Sequence, residues 1–558
     1  MTRVVNRRIR LLLTLLVVAF AGLLVRAFWL QGVRAASLSR LGATQQRVDV
    51  TIPAIRGTIF DRTGTPLALG EQATTVYADP MQISDPQQVA DAVGKALGLK
   101  PETLLASLSD RSRGFVYLER QADPLKAAAL ERQRIPGLGF YPEQQRWYPQ
   151  HTVGAQVLGG VGIDGNGLAG LELELNKELA GAPGHETIVR DPSGRTIDVL
   201  HDRPAVQGQN VTLTLDHSIQ ANAEEVLRAT IQKWHAQDGT AIVLDPRTGA
   251  VLAMAIEPGY DANRFSDVSA ATQRDRAVTD TYEPGSTFKL VTVAGALSDR
   301  IVSPSTAFTL PYSIQVADRV IHDAEPRGTV RYSVAQILAH SSNVGAITLA
   351  ELLGQRRLVQ WISQFGFGRV TGIDFPGESP GIVLPADKWS GSTIGNVPIG
   401  QGIAVTPVQM ASAYAAVANR GVWSQPHLVA RIGRDSTTAV QHRRIVSTRV
   451  ASELITMLKD VVAEGTGTYA AIPGYQVAGK TGTAQIPDGH GGYATGEYNA
   501  SFIGIVPASR PRLVVMVLVD DPRGAIFGGV VAAPAFAQIA SFDLRYLEIP
   551  PDKPTPRP

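Results

Sequence analysis

The chain has 558 residues, of which 44% are apolar, and a formal net charge of +2. The length predicts two or three domains, and the apolar fraction is ample for a buried core. The small net charge, without a stripe of basic and aromatic residues, argues against nucleic-acid binding. The chain contains no cysteine, which excludes disulfides, thiolate metal sites and cysteine catalysis. Its ten histidines lack ligand spacing, so we predict no metal and no other cofactor.

An apolar segment, Leu11–Leu30, follows four arginines near the N-terminus and is interrupted only by Arg26. About 20 residues of helix span a bilayer. The arginines place the N-terminus in the cytoplasm and the rest of the chain on the periplasmic face of the cytoplasmic membrane. A signal peptide cleaved near Ala35 and Ala36 and a buried helix are the alternatives. We therefore predict a single-pass anchor within residues 1–36.

Residues 37–208 predict a non-catalytic module of mixed α+β structure. An extended segment, Arg47–Ile59, runs into a turn at residues 61–66. Helical patterns follow at Pro86–Leu99 and Leu171–Leu179. No cluster of catalytic residue types is evident, so this segment is interpreted as an elongated, non-catalytic module.

Residues 209–547 predict a second α+β module, and the proline-rich residues 548–558 predict a disordered tail. A helical pattern at His217–Trp234 precedes a hairpin signature between two apolar strands. Helices come next and strands return near the end, which favours a central antiparallel sheet flanked by helices. The predicted strands are Thr240–Leu244, Ala250–Ala255, Tyr475–Gln485, Ala500–Val506 and Leu513–Val519; the predicted helices are Thr287–Leu297, Val334–Leu353 and one from Pro534.

Three short motifs occur once each in the second module. An S-x-x-K begins at Ser286, an S-x-N begins at Ser341, and a K-T-G-T begins at Lys480. Of ten lysines only Lys289 has a serine three residues before it, and of ten asparagines only Asn343 has a serine two residues before it. Such short patterns are weak singly. All three in this order are typical of penicillin-interacting acyl transferases.

The S-x-x-K predicts a serine nucleophile with a lysine base. Proline and glycine shape a turn before Ser286, and Lys289 then projects from the same face of a helix. A lysine acts as a base only when it is neutral, so its pKa must be lowered. Burial around Phe288, or the charge of Lys480, could lower it. Without the other motifs, an ordinary helix start with a surface lysine would explain the pattern.

The other two motifs predict supporting roles. Ser341 could relay a proton, and Asn343 could hold a peptide substrate and steady Lys289. Lys480, with the hydroxyls of the motif, could bind a terminal carboxylate. The predicted substrate-binding residues are Thr481, Gly482 and Thr483. Gly482 would leave room for a ligand beside the strand. The N–H groups of Thr483 and Ser286 would form an oxyanion hole. Helix capping and a strand bulge are the structural alternatives.

A rival serine stands in Gly377-Glu378-Ser379-Pro380-Gly381, which matches the G-x-S-x-G elbow of α/β-hydrolases. That elbow uses the N–H of the residue after the serine. Here the residue is Pro380, which has none. We therefore interpret this segment as a loop.

Together the motifs and the anchor resemble a class B, monofunctional penicillin-binding protein of the septal branch. Residues 56–62 are similar to the R-G-x-I-x-D-R signature that opens the family's non-catalytic pedestal domain, and residues 167–172 to its G-x-x-G-x-E element. The resemblance thus implies that residues 37–208 form such a pedestal. Residues 400–407 resemble its G-Q-G-x-x-x-T-P loop, and residues 501–504, 521–523 and 533–534 its septal ending. One departure is His151, where the family's R-x-Y-P-x-G has glycine. No Glu-Asp dipeptide precedes the motifs, so the glycosyltransferase of class A relatives is not expected.

The resemblance implies peptidoglycan D,D-transpeptidase activity in cell division. Ser286 would attack the penultimate D-Ala of a stem pentapeptide, and the amine of a neighbouring stem would resolve the acyl-enzyme. β-Lactams would acylate the same serine. The implied partners are a SEDS-type septal glycan polymerase and divisome proteins, with no nucleic acid.

Two alternatives remain at this point. One is a D,D-carboxypeptidase or β-lactamase on the same scaffold, with water as the acceptor; such proteins usually lack the pedestal. The other is a β-lactam-binding scaffold without turnover, against which the intact catalytic positions argue.

Overall fold

The computed structural model describes residues 2–37, 47–190, 196–436 and 439–553. They form two units. One consists of Met1–Ile55 with Gly181–Gln207, and the other of Arg56–Ala180 with Gly208–Pro558.

The first unit contains the N-terminal helix and a small sheet. The helix Thr2–Phe28 continues as a π-helical turn, Trp29–Val33. Within the described residues, Val5–Val33 is the one helix long and apolar enough to cross a membrane. Its 29 residues extend about 43 Å, which exceeds the hydrocarbon core. This supports the predicted single-pass anchor. The antiparallel strands of the sheet are Arg47–Ile52, Gly184–Arg190 and Thr196–Arg203, with Gly184–Arg190 in the middle.

The pedestal part of the second unit is a mixed α+β layer. The predicted helix Pro86–Leu99 spans Pro86–Leu97, because Asp85 caps its start and Gly98 ends it in the left-handed region. The long strand Pro66–Ala78 pairs with three others, and helices cover the sheet. The seven strands are Ile59–Phe60, Pro66–Ala78, Val116–Ala122, Leu138–Trp147, Val211–Leu213, Val429–Ile432 and Asp435–Ser436; the helices are Pro86–Leu97, Pro101–Ser109, Pro124–Glu131, Ala155–Leu158, Gly170–Glu174 and Asn176–Ala180.

A buried ion network joins the pedestal segments that resemble family signatures. Glu172 is fully buried, and its two carboxylate oxygens accept from Arg56 Nε and Arg146 Nε, each at 2.6 Å. Arg146 also donates to the carbonyl of Gly57 at 2.8 Å. A buried charge is tolerated only when it is paired. The charged residues of these signatures therefore hold the pedestal together.

His151 occupies a backbone conformation that favours glycine. Its φ is +52°, so the glycine expected from the resemblance would fit without strain. The imidazole Nδ1 lies 3.0 Å from a carboxylate oxygen of Asp261, and the ring packs edge-on against Trp147. Burial alone would raise the pKa of Asp261, but hydrogen bonds from His151 and Asn263 hold it below its usual value. The histidine thus replaces glycine with new side-chain contacts.

The catalytic part is built on the predicted central antiparallel sheet, which is confirmed. Its five strands are all antiparallel to their neighbours, and Ala478–Pro487 forms one edge. In spatial order they are Val251–Glu257, Asp238–Leu244, Leu513–Asp520, Tyr493–Val506 and Ala478–Pro487.

Both faces of this sheet are buried, because helices pack on each. Alternate residues of one strand point into different cores: Ile242 joins one cluster and Val243 the other. The helices His217–Trp234 and Gly528–Tyr546 cover one face. The other helices of this part are Ala270–Gln273, Arg276–Thr279, Lys289–Ser298, Val334–Ala339, Asn343–Leu353, Gln355–Phe365, Thr393–Asn396, Pro407–Ala418 and Thr448–Ala463.

Three helix predictions need correction. The predicted helix Val334–Leu353 is two helices, with a turn at residues 340–342 between them. The helix expected from Pro534 begins at Gly528, with the proline inside it. The predicted helix Leu171–Leu179 is likewise divided at Leu175.

The predicted disordered tail is ordered as far as Lys553. Ile549 is buried, and the carboxylate of Asp552 accepts from the N–H of Gln476 at 2.7 Å and from the hydroxyl of Ser509 at 2.6 Å. The remaining residues of that prediction, 554–558, lie outside the described residues.

Candidate active site

The nucleophile turn, Glu283–Phe288, presents Ser286 at the start of a buried helix. Gly285 has a φ of +53°, and a Cβ there would lie 2.7 Å from the carbonyl oxygen of Thr483. Gly285–Phe288 forms a 3₁₀ turn that leads into the helix Lys289–Ser298. Phe288 is fully buried, whereas Ser286 is half-buried. The buried neighbours thus hold the serine at the surface of the core.

Lys289 brings the first two motifs together. Its side chain is fully buried, and its Nζ donates to the carbonyl of Ser341 at 2.5 Å, to Asn343 Oδ1 at 2.7 Å and to Ser341 Oγ at 3.2 Å. Within the described parts of the chain, the Ser286 hydroxyl has no hydrogen-bond partner. The lysine amine therefore contacts the S-x-N turn here, and the expected Ser286–Lys289 contact stays a prediction.

Burial lowers the pKa of Lys289 to about 7, while the nearby charge of Asp323 opposes that shift. Burial, and next the charge of Lys289, lower the pKa of Lys480 well below its usual value. Burial is thus one of the two causes expected for the lowered pKa of Lys289, and the charge of Lys480 as a second cause stays a prediction.

The S-x-N turn is a strained connection between two helices. Ser341 has a φ of +56°, which is unusual for a residue with a Cβ. Ser342 caps the next helix by accepting from the N–H of Gly345 at 3.0 Å. Asn343 Nδ2 donates to the carbonyl of His322 at 2.9 Å, which turns its Oδ1 toward Lys289. The turn thereby orients all three oxygens that accept from the lysine amine.

The K-T-G-T segment lies on the edge strand Ala478–Pro487. Its outer edge is unpaired in the five-stranded sheet, so an extended peptide could add there. Lys480 Nζ donates to the carbonyl and hydroxyl of Thr481 at 3.2 and 3.3 Å. The Thr481 hydroxyl is also 2.7 Å from that of Thr466. Thr483 is half-buried, and its hydroxyl accepts from the N–H of Gly528 at 3.3 Å. Thr483 is therefore the more accessible hydroxyl.

Gly482 permits a close approach of protein atoms. A Cβ there would lie 2.3 Å from Ser501 Oγ and 3.0 Å from the carbonyl oxygen of Pro284. The room that we expected for a ligand is thus taken on this side by the nucleophile turn. Gly482 sets the spacing between strand and serine.

A carboxylate next to the nucleophile turn was missed by the sequence analysis. Glu283 is buried, and its oxygens accept from the N–H of Gly402 at 2.9 Å and from the Tyr493 hydroxyl at 3.0 Å. Burial raises the pKa of Glu283. The side chain ties the nucleophile turn to the G-Q-G loop and to the far end of the edge hairpin. The acidic residue before Pro284 was the available signal.

The rival Ser379 lies in irregular structure, with no strand leading in and no helix leading out. Its hydroxyl accepts from the N–H of Gly381 at 3.2 Å. The segment is a loop, as predicted.

One group of side chains has the spacing of a metal site. Asp61, Asp216 and His217 offer atoms within 4.8 Å of one another. However, Asp61 already accepts from His217 Nδ1 at 2.6 Å and from the N–H groups of Thr63 and Thr65 at 2.8 Å. These protein donors satisfy the carboxylate, and we assign no metal to it.

Comparisons with known proteins agree with the geometry. Residues 239–541 match the penicillin-binding protein transpeptidase domain, and residues 51–213 match the penicillin-binding protein dimerisation domain. The chain is 35% identical to penicillin-binding protein PbpB of Mycolicibacterium smegmatis, over 94% of this chain and 88% of that protein. It is 32% identical to the peptidoglycan D,D-transpeptidase FtsI of Escherichia coli, over 98% and 93% of the two chains.

A solved structure gives the same relationship. Penicillin-binding protein 3 of Mycobacterium tuberculosis, complexed with aztreonam, matches with a TM-score of 0.71 and 31% identity, over 91% of this chain and 99% of that one. The chain therefore belongs to the class B penicillin-binding proteins, in the septal peptidoglycan D,D-transpeptidase branch.

Proposed function

We propose that this protein cross-links peptidoglycan stem peptides during septal wall synthesis, through an acyl-enzyme on Ser286 that β-lactams also form. The observation that carries the proposal is the environment of Lys289. A fully buried amine with a pKa of about 7 stands one helical turn after a serine whose hydroxyl has no hydrogen-bond partner among the described residues. A base of that pKa is half in its free form at neutral pH.

The acylation step assigns a role to each motif. Ser286 Oγ attacks the carbonyl carbon of the penultimate D-Ala, and its proton passes to Lys289. The N–H groups of Ser286 and Thr483 stabilise the oxyanion. The peptide bond breaks, and the terminal D-Ala leaves with a proton relayed by Ser341. Thr483, with Lys480 and Thr481 behind it, receives the terminal carboxylate.

The second half of the reaction uses the same groups in reverse. The amine of a second stem peptide attacks the ester carbonyl and loses a proton toward Ser341 and Lys289. The ester bond breaks, Ser286 regains its proton, and a new amide joins the two stems. Asn343 holds the backbone of the acyl group and keeps Lys289 oriented.

The proposal extends to topology and partners. A cytoplasmic N-terminus and a catalytic part on the periplasmic face are favoured by four basic residues at the start of the anchor, Arg3, Arg7, Arg8 and Arg10. Of the predicted domains, residues 37–208 contain most of the match to the dimerisation domain at residues 51–213, and residues 209–547 contain the match to the transpeptidase domain at residues 239–541. A SEDS-type glycan polymerase and divisome proteins would contact the anchor and the pedestal.

Labelling with fluorescent penicillin tests the site. The full-length protein should take one covalent label, and Ser286→Ala should take none, while Ser379→Ala should label like the wild type. Equal labelling of wild type and Ser286→Ala would defeat the assignment. Pentapeptide-bearing glycan then separates the alternatives: cross-linked product supports a transpeptidase, hydrolysed tetrapeptide alone indicates a carboxypeptidase, and label without turnover indicates a scaffold.

A further inference from the structure

A buried carboxylate outside the three motifs accepts hydrogen bonds from the S-x-N turn. Asp323 follows the strand Arg319–His322, and its side chain is 8% exposed. Its oxygens accept from the Ser342 hydroxyl at 3.1 and 3.0 Å and from the N–H of Val344 at 3.0 Å. Arg327 Nε donates to it at 2.8 Å. All of these donors converge on one carboxylate from two segments of chain.

These hydrogen bonds hold the chain neighbours of the residues that contact Lys289. Ser342 and Val344 flank Asn343, and Ser342 directly follows Ser341. Ser341 keeps a φ of +56° only if its surroundings hold it there. The residue before Asp323 contributes as well, since its carbonyl accepts from Asn343 Nδ2. The loop at Asp323 therefore fixes the oxygens of Ser341 and Asn343 that accept from the lysine amine.

We propose that Asp323 is a positioning residue for acyl transfer: it holds the Ser341–Asn343 turn against Lys289. This rests on the proposed function, because it concerns the same serine–lysine site. The role goes beyond the three motifs, none of which contains Asp323. It differs from a general contribution to folding because it acts on one turn and on one amine.

The charge of Asp323 gives the role a distinctive readout. Burial lowers the pKa of Lys289, and the negative charge of Asp323 partly offsets that shift. The other charged groups near this pair are Lys480, whose pKa is lowered, and Arg327, which pairs with Asp323. Replacing Asp323 by asparagine removes the negative charge, so the pKa of Lys289 should fall. The rise of acylation rate with pH should then have its midpoint at lower pH than in the wild type.

The experiment measures penicillin acylation rates of the full-length protein in detergent from pH 5 to 9. Asp323→Asn should lower the plateau by about 10-fold or more, as expected for a lost hydrogen bond to a charged group, and should move the midpoint to lower pH. Ser342→Ala should lower the plateau but keep the wild-type midpoint, because it removes the hydrogen bonds from the Ser342 hydroxyl to Asp323 and leaves the charge of Asp323 in place. Asp318→Asn, an exposed site at the turn before the same strand, should change neither.

The measured plateau and midpoint decide whether Asp323 has this positioning role. An Asp323→Asn protein with the wild-type plateau, or with a midpoint that stays or moves up, overturns the proposal. If that variant does not fold, Asp323→Glu decides, because it keeps the charge: a lower plateau with the wild-type midpoint supports the role, and an unchanged plateau overturns it. Wild-type protein that takes no label at all defeats the proposed function and this role with it.

Discussion

The pKa of Lys289 predicts how acylation depends on pH. In water a lysine with its ordinary pKa of 10.5 would be a free base in about one molecule in 3,000 at pH 7. With the pKa lowered to about 7, about half the molecules carry the free base. Burial therefore increases the active fraction by a factor on the order of 10³. The acylation rate should rise tenfold per pH unit below pH 6, reach half of its plateau near pH 7, and be flat above pH 8.

Two substitutions isolate the cause. Lys289→Arg keeps a cation that cannot lose its proton at these pH values, so acylation should fall by about 10³ or more and show no midpoint near 7. Lys480→Met should lower the plateau and leave the midpoint in place, because burial, opposed by the charge of Asp323, sets the pKa of Lys289.

Stopped-flow acylation by a fluorescent penicillin, with thermal unfolding to confirm folding at each pH, measures these quantities. A wild-type rate that still rises tenfold per unit at pH 9 would refute the buried-base argument. A midpoint that moves up in Lys480→Met would instead show that the charge of Lys480, and not burial alone, lowers the pKa of Lys289.

Two further predictions concern residues outside the motifs. Glu172→Gln should lower the free energy of unfolding by about 3 kcal/mol, because it leaves two buried arginines with a neutral partner; thermal unfolding should show the loss, and an unchanged melting temperature would contradict it. Tyr493→Phe removes the hydroxyl that donates to Glu283 at 3.0 Å. It should slow penicillin acylation about 5-fold without changing the melting temperature, as one lost hydrogen bond implies. A rate equal to that of the wild type would show that the hydrogen bond between Tyr493 and Glu283 does not contribute to acylation.

Much of the site could be predicted because each motif encodes its own local geometry. The proline and glycine before Ser286 shape a tight turn, and the spacing to Lys289 places both on one helical face. The S-x-N could be recognised as a polar cluster, yet the apolar periodicity on both sides of it concealed the break at Ser341. Periodicity reports which residues are buried, and it does not report a single residue at positive φ.

The missed residues lie far along the chain from their partners. Asp323 contacts a residue 19 positions away, and Glu283 contacts Tyr493 at 210 positions. No local pattern carries such a pairing. The start of the last helix was missed for a related reason. Gly528 is a poor helix former, but a Cβ there would lie 2.4 Å from the carbonyl oxygen of Gly482, so the helix needs glycine to reach the edge strand.

Position and basicity have separate causes at Lys289. Its amine is a base at neutral pH because it is buried. Its position is set by the oxygens of Ser341 and Asn343, which accept hydrogen bonds from it. The carboxylate of Asp323 holds that turn in place, while its charge works against the lowering of the pKa. A variant that keeps the charge and removes the hydrogen bonds to the turn should therefore change the acylation rate and leave the midpoint near pH 7.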